Sequence, residues 1–206
     1  MSTERDVERF GRWAETYESS LTQRLFFTRV QDRAIAAGLA AVPDPQAVLD
    51  VGCGTGSLLR RLAPRVPRAA LTGLDPAEPM VLAARAALPP ASAIRFVEGF
   101  AEELPFDDGS FDLVLTTMSF HHWADQAAAL REVRRVLRAG GAFVLTDALA
   151  AGAFRFFMAR SSHGTFLTPP DLAELFVGAG FSPPSEVMLP GYGHTIRATI
   201  GRSRSD

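Results

Sequence analysis

The sequence predicts an α/β fold with a doubly wound, mostly parallel seven-stranded sheet that ends in an antiparallel hairpin. Short apolar runs alternate with helical patterns from residue 47 onward, which is typical of parallel strands covered on both faces. The last two extended runs are joined by the turn sequence Pro190-Gly191-Tyr192-Gly193, which predicts an antiparallel pair. With 206 residues the chain is long enough for one such domain and its core.

The strands and helices alternate along the chain as this fold requires. The parallel strands are predicted at 47–51, 70–74, 94–97, 111–116 and 142–146, and the hairpin strands at 185–189 and 195–200. The helices are predicted at 57–63, 77–88, 125–141 and 169–178. Asp125 is a suitable cap for the third helix, and Gly140 and Gly141 are suitable residues to end it. The first 40 residues are expected to be helical too, because apolar side chains recur there at helical spacing (Phe10, Trp13, Tyr17 and Leu21).

Composition and charge argue against several classes of protein. The formal charge is −2 and the arginines are scattered, which disfavours a nucleic-acid partner. The single cysteine, Cys53, allows neither an intrachain disulfide nor a cysteine cluster for zinc, and we expect no metal site. A charged N-terminus and the lack of an unbroken apolar run disfavour secretion and integral membrane association, so we expect a cytoplasmic protein.

The glycine-rich turn after the first strand is the main candidate site. Gly52, Gly54 and Gly56 stand between a strand and a helix, where a bare backbone lets a ligand approach. A dinucleotide-binding fingerprint would need a further glycine at position 57, and Ser57 therefore disfavours a nicotinamide-dependent oxidoreductase. The second strand ends at Asp75, an acid suited to accept hydrogen bonds from ribose hydroxyls. The alternative interpretation is that the glycines only make a tight turn.

Taken in order, these motifs resemble the class I S-adenosylmethionine-dependent methyltransferases. The similarity is carried by Val-Leu-Asp-Val-Gly-Cys-Gly-Thr-Gly at 48–56 and Gly-Leu-Asp-Pro at 73–76, with further segments at 10–17, 98–112 and 130–141. Within that class the sequence is similar to the small-molecule group that includes the ubiquinone and menaquinone biosynthesis enzymes. The resemblance implies a Rossmann-like methyltransferase fold, S-adenosylmethionine as cofactor and a small-molecule methyl acceptor.

The resemblance also implies which residues hold the cofactor. The three glycines would pass under it, Asp50 would assist its amino group, and Asp75 would bind its ribose. The other contacts implied are Tyr17 over the sulfonium, Pro76 and Met80 near the adenine, Ala101 and Glu102 at the adenine edge, and Thr117 beside the methionine part. Relatives usually carry aspartate where this chain has Phe100, so either Phe100 stacks on the adenine or Glu102 reaches its amino group.

The same resemblance divides the single domain of residues 1–206 into four segments. A helical N-terminal cap is expected at 1–44, the cofactor-binding core at 45–147, a substrate-covering segment and helix at 148–182, and the closing hairpin at 183–206. The covering segment is rich in phenylalanine (Phe154, Phe156, Phe157 and Phe166). With Trp13 these rings either form an apolar acceptor pocket or pack the core.

The catalytic candidates are His121 and His122, just after the fourth strand. A base is needed only if the acceptor must lose a proton, and ligands of open α/β sheets bind at the carboxyl ends of the strands. We prefer His122; the alternative is that both histidines pack or cap the loop. Besides a methyltransferase acting on a small, apolar or aromatic acceptor, a non-catalytic S-adenosylmethionine-binding protein on the same fold fits this sequence. The oligomeric state is left open.

Overall fold

The computed structural model describes residues 21–150, 164–188 and 196–203. The strands are β1 (Ala47–Val51), β2 (Ala70–Asp75), β3 (Arg95–Glu98), β4 (Phe111–Thr117), β5 (Leu137–Ala148), β6 (Ser185–Met188) and β7 (Ile196–Arg202). The helices are α1 (Leu21–Ala41), α2 (Ser57–Leu62), α3 (Glu78–Ala86), α4 (Gln126–Val136) and α5 (Pro169–Gly178). Short 3₁₀ turns lie at Ala63–Arg65 and Phe120–His122.

All seven strands form one sheet in the order β3-β2-β1-β4-β5-β7-β6. The first five strands pair in parallel. β7 runs antiparallel to both of its neighbours, β5 and β6. The predicted fold class is therefore confirmed, including the antiparallel hairpin.

Two apolar clusters cover the two faces of the sheet. Successive residues of a strand point to opposite faces, so Val48 and Leu49 enter different clusters, as do Val144 and Leu145. Helices α1, α2 and α3 complete one cluster with residues that include Val30, Leu59 and Val81. Helices α4 and α5 complete the other with residues that include Leu130 and Phe176. The sheet is thus a central layer between helices, and its carboxyl edge is left for a site.

Helix α4 begins as the sequence predicts but ends earlier. The Asp125 carboxylate accepts a hydrogen bond from the Ala128 amide at 2.9 Å, which satisfies a free donor of the first turn. The prediction that Gly140 and Gly141 end this helix is wrong, because the helix stops at Val136 and β5 starts at Leu137. The two glycines instead form a bulge within β5, where the pairing with β4 shifts register. Gly140 has φ +77°, and a Cβ on Gly141 would lie 2.9 Å from the Asp112 carbonyl oxygen.

Several sequence predictions fall outside the described residues. They include Tyr17, the rest of the N-terminal aromatic pattern, and three phenylalanines of the covering segment (Phe154, Phe156 and Phe157). The turn of the hairpin, at 190–193, is outside as well. Among the helices of the described ranges, none combines the length and apolar character needed to cross a membrane.

Candidate functional site

A pocket opens where the strand order reverses. β1 lies between β2 and β4. The chain leaves β1 and β4 toward opposite faces of the sheet, and a crevice therefore forms at the carboxyl ends of these two strands. The glycine turn (residues 52–56) follows β1, and the histidine turn (residues 118–123) follows β4. The lining includes Phe27, Gln31, Asp50, Gly52, Cys53, Gly54, Asp75, Pro76, Met80, Phe100, Ala101, Glu102, Thr117, Met118, Ser119, His122 and Trp123.

The three glycines of the glycine turn serve different purposes. All have positive φ, which disfavours any residue with a side chain. A Cβ on Gly52 would lie 1.9 Å from Ser119 Oγ, and one on Gly56 would lie 2.3 Å from the Phe96 ring. A Cβ on Gly54 would meet no atom within 4 Å, so the space beside this residue is open. Gly52 and Gly54 line the pocket, whereas Gly56 lies outside its lining and is required for packing.

Asp75 fastens the glycine turn to the end of β2. Its Oδ2 accepts a hydrogen bond from the Gly54 amide at 2.8 Å, and its Oδ1 accepts one from the Ala77 amide at 3.0 Å. Burial raises the pKa of Asp75, and these two amides limit the rise by stabilising the carboxylate. Each carboxylate oxygen keeps a second lone pair, so Asp75 is able to accept two ligand hydroxyls in addition.

Asp50 lies on β1 beneath the same pocket and is only 2% exposed. In the described part of the chain no hydrogen-bond donor reaches its carboxylate. Burial, with the charge of Asp75 as a second cause, raises the pKa of Asp50 to about 8. A cation placed in the pocket would stabilise the charged form of this carboxylate. The site therefore favours a ligand that brings a positive charge close to Asp50.

The burial of Cys53 decides its role within the glycine turn. The thiol is buried, and burial raises its pKa, with the charges of Asp50 and Asp75 as further causes. A neutral thiol is a poor nucleophile. Cys53 is therefore a small filler under the turn.

The histidine turn separates the two histidines. His122 lines the pocket, whereas His121 does not. The Nδ1 atom of His121 lies 2.7 Å from Asp147 Oδ1, and its amide donates to Asp147 Oδ2 at 3.1 Å. The His121 ring stacks on Phe166 with a centroid distance of 4.4 Å, and the residue is only 9% exposed. His121 therefore anchors the turn, and His122 is the histidine that a ligand in the pocket would meet.

Other polar side chains hold the same turn in place. Gln126 Nε2 donates to the carbonyl oxygens of Phe120 and Thr165, at 3.1 and 3.0 Å. The Trp123 indole donates to Ser119 Oγ at 3.2 Å. Met118 has φ +54°, the one described residue other than glycine with positive φ. Such strain persists only where the surroundings over-determine the backbone, as they do here.

The remaining predicted contacts divide into two groups. Pro76, Met80, Ala101 and Thr117 all line the pocket. The Thr117 hydroxyl is buried and finds no hydrogen-bond partner within the described ranges, so it is available to a ligand. Glu102 also lines the pocket, but its Oε1 accepts hydrogen bonds from the Ala124 and Asp125 amides at 2.7 and 3.2 Å.

Sequence reasoning missed several pocket residues. They are Phe27 and Gln31 on α1, and Ser119 and Trp123 in the histidine turn. It also missed Asp147 as the partner of His121. No local signal in α1 shows which of its residues reach the sheet edge. Ser119 and Trp123 directly flank the segment that holds the two histidines, and that proximity in sequence is a signal that could have found them.

The pocket fits S-adenosylmethionine, which combines a cationic amino acid part, a ribose and a base. The unpartnered Asp50 carboxylate suits the amino group, Asp75 suits the ribose hydroxyls, and the open space at Gly54 lets the ligand lie against the backbone. Met80 and Phe100 offer apolar surface for the base. Sheet order, glycine turn and acid positions together define the class I S-adenosylmethionine-dependent methyltransferase fold.

Comparison with known proteins agrees with this class. Residues 49–145 match the model of the family described as "Methyltransferase domain". Demethylmenaquinone methyltransferase of Thermus thermophilus is 40% identical over 116 residues, which are 56% of this chain and 53% of that protein. Malonyl-[acyl-carrier protein] O-methyltransferase of Geobacter sulfurreducens is 41% identical over 115 residues, 56% of this chain and 43% of that protein. The chain thus matches about half the length of these relatives.

A solved structure shows the same fold over nearly the whole chain. It contains a protein described as a putative methyltransferase, in complex with the Trm112 methyltransferase activator of Haloferax volcanii. The TM-score is 0.79 at 23% identity, and the match covers 97% of both chains. The chain thus shares its fold with that protein, and its residues 49–145 are similar to the methyltransferase domain family.

Proposed function

We propose that this protein transfers a methyl group from S-adenosylmethionine to a small apolar or aromatic acceptor. The observation that carries the proposal is the meeting of Asp50, Gly54 and Asp75 in one pocket. A buried acid without a donor, an open glycine and a second acid on the neighbouring strand suit the charged, flat and hydroxyl-bearing parts of this one ligand. A tight turn made only for packing needs neither the open Gly54 nor an unpartnered Asp50.

The residues of the site have separate roles in this proposal. When bound, S-adenosylmethionine would supply an electrophilic methyl group: the acceptor atom would bond to the methyl carbon as the carbon–sulfur bond breaks, and S-adenosylhomocysteine would be left. Asp50 binds the amino group, Asp75 binds the ribose, and the Thr117 hydroxyl is available to the methionine part. Because displacement depends mainly on alignment and exclusion of water, the fixed histidine turn and the apolar walls are the chain's main contribution.

His122 is the proposed base for an acceptor that carries a removable proton. It lines the pocket from the turn after β4, next to the Thr117 end where the methionine part would lie. His121 supports it indirectly, since its hydrogen bonds to Asp147 fix the backbone of the turn. A positioned general base typically raises the rate of a reaction by about 10²- to 10⁴-fold.

An apolar acceptor is favoured by the walls around His122. Met118 and Trp123 come from the same turn as His122 and line the pocket, as does Phe27 from α1. The two relatives described above are named for different acceptors, demethylmenaquinone and malonyl-[acyl-carrier protein]. Of these two, demethylmenaquinone is the apolar and aromatic acceptor, and we propose that general class here.

Calorimetric titration with S-adenosylmethionine and S-adenosylhomocysteine tests the proposal. We expect both to bind, and the failure of folded protein to bind either would reject it. Transfer of a labelled methyl group to a panel of quinols, phenols and acyl thioesters then separates an enzyme from a non-catalytic binding protein. The latter would bind the cofactor and methylate nothing.

Asp75→Ala provides the first variant for the titration. Loss of the ribose hydrogen bonds is expected to weaken cofactor binding by roughly 1–3 kcal/mol. Asp75→Asn is its matched control, because the amide oxygen still accepts one of the two backbone hydrogen bonds of the carboxylate. Unchanged affinity in Asp75→Ala would contradict the role given to this acid.

A further inference from the structure

The strand order places the parts of the ligand along the sheet edge. Asp50 is on β1 and Thr117 at the end of β4, so the charged methionine part belongs over these two central strands. Asp75 ends β2, the next strand outward, and takes the ribose. The base must therefore lie farther out, above the segment that follows β3. That segment is residues 99–103, and the Gly99 amide ties it to the Asp75 carbonyl oxygen at 3.2 Å.

This outer end of the pocket is apolar. Met80 from α3 and Phe100 and Ala101 from the segment after β3 line it. Phe100 is 48% exposed, although phenylalanine is usually buried. A large ring left exposed at the mouth of a pocket offers a flat surface for a flat ligand. Stacking of a base on such a ring tolerates changes at the edge of the base, because every base has the same kind of face.

The acids near this end already accept hydrogen bonds from the protein. Glu102 Oε1 accepts two amide hydrogen bonds, from Ala124 and Asp125, and so closes the turn before α4. The Asp125 carboxylate caps α4 and does not line the pocket. Both Asp75 oxygens are held by the Gly54 and Ala77 amides at the ribose position. Glu102 and Asp75, the described acids that line this end of the pocket, therefore each accept two backbone hydrogen bonds already, and neither is left without a partner as Asp50 is.

We infer that this site binds the nucleobase of S-adenosylmethionine by stacking on Phe100, without a side-chain acceptor for the 6-amino group of adenine. The inference rests on the proposed function. Phe100 then determines cofactor specificity. Its ring supplies affinity for a purine, and no side chain accepts a hydrogen bond from the 6-amino group. Cofactor analogues altered at that position are accepted nearly as well as the natural compound.

Two ligands test this directly: S-adenosylhomocysteine and its 6-deamino analogue, in which purine replaces adenine. Only the amino group differs, so the stacked surface and ring nitrogens are retained. We expect the wild-type dissociation constants to agree within about threefold, since no hydrogen bond to a charged group is lost. A preference of about tenfold or more for the adenine compound would overturn the inference. If the adenine compound itself does not bind, the proposed function fails instead.

Substitutions at Phe100 sharpen the result. Phe100→Ala is expected to weaken both ligands by a similar factor of about 10, the usual effect of removing one stacking ring. Phe100→Asp introduces an acceptor and is expected to create a preference of about tenfold or more for the adenine compound. Equal binding of the two ligands by Phe100→Asp, or undiminished binding by Phe100→Ala, would contradict the stacking role.

Two further variants serve as controls. Leu82→Ala removes a comparably exposed apolar side chain, 52% exposed on α3 and outside the pocket lining, and is expected to leave both affinities unchanged. Glu102→Gln keeps an oxygen acceptor for the Ala124 and Asp125 amides and is expected to affect the two ligands equally. If Glu102→Gln weakened the binding of the adenine compound alone, Glu102 would be shown to accept a hydrogen bond from the amino group. That result would overturn the inference.

Discussion

The glycine turn and the histidine turn follow neighbouring strands and touch each other, yet they are held in different ways. The glycine turn is shaped mainly by backbone: the Gly52 and Cys53 amides both donate to the Leu74 carbonyl oxygen, and three glycines adopt positive φ. The histidine turn is held by side chains from distant segments, such as Asp147, which is 26 residues from His121 in sequence. One turn is thus held mainly through backbone groups and the other mainly through side chains.

The largest loss of unfolding free energy is expected where the glycine turn touches the histidine turn. Gly52→Ala places a methyl group 1.9 Å from Ser119 Oγ and also forces alanine into positive φ. The overpacking and the backbone strain together are expected to cost about 4 kcal/mol of unfolding free energy. Chemical denaturation followed by circular dichroism measures the loss. A variant as stable as the wild type would show that the two turns do not constrain each other.

Gly54→Ala is the matched control within the same turn. It has the same unfavourable sign of φ, but its new methyl group would enter open space. A stability loss of only about 1 kcal/mol is therefore expected. Because that space belongs to the pocket, cofactor affinity should fall more than stability does. The opposite order, with Gly54→Ala the less stable variant, would contradict this division of roles.

The second-largest effect is expected at the anchor of the histidine turn. Asp147→Ala removes a carboxylate that is 1% exposed and leaves buried His121 Nδ1 and two amides, those of His121 and Ala148, without their acceptor. Because these donors are buried and left unsatisfied, the unfolding free energy is expected to fall by about 3 kcal/mol. Urea denaturation measures it.

Asp147→Asn keeps an oxygen in the same place and serves as the comparison for Asp147→Ala. It should lose clearly less stability, because at least one donor retains its acceptor. Equal losses in the two variants would mean that side-chain size rather than hydrogen bonding holds the turn.

The contrast between the turns also explains how far the sequence was informative. Gly52, Gly54, Asp50 and Asp75 were identified because their spacing relative to two strands is a local property. The sequence favoured His122 over His121 but did not show what separates them, since Asp147 decides which ring turns inward and that contact forms only in the sheet. The early end of α4 was missed for the same reason, because pairing with β4 draws residue 137 into β5.

A smaller stability effect, of opposite sign to those at Gly52 and Asp147, is expected at Asp50. Its pKa is about 8 in the folded protein against the usual 3.8, so folding takes up a proton between these values. The stability contributed by this group is therefore present below about pH 4 and declines as the pH rises toward 8. Asp50→Asn removes this decline and should raise the unfolding free energy at pH 8 by about 1–2 kcal/mol.

Thermal unfolding of wild type and Asp50→Asn at pH 5 and pH 8 checks this sign. The difference between the two proteins should widen with pH, and the variant should bind S-adenosylmethionine more weakly. A variant less stable than wild type at pH 8 would show that the Asp50 carboxylate is satisfied without a ligand. Stability and binding would then not oppose each other at this residue.

The position of β7 constrains how the chain can be assembled. The last strand of the described residues occupies an inner place in the sheet, paired with β5 on one side and β6 on the other. During synthesis the outer edge of β5 stays uncovered until residues 196–202 have left the ribosome. An uncovered edge strand is a template for pairing with other chains, so nascent or truncated forms that lack β7 are the species most exposed to aggregation.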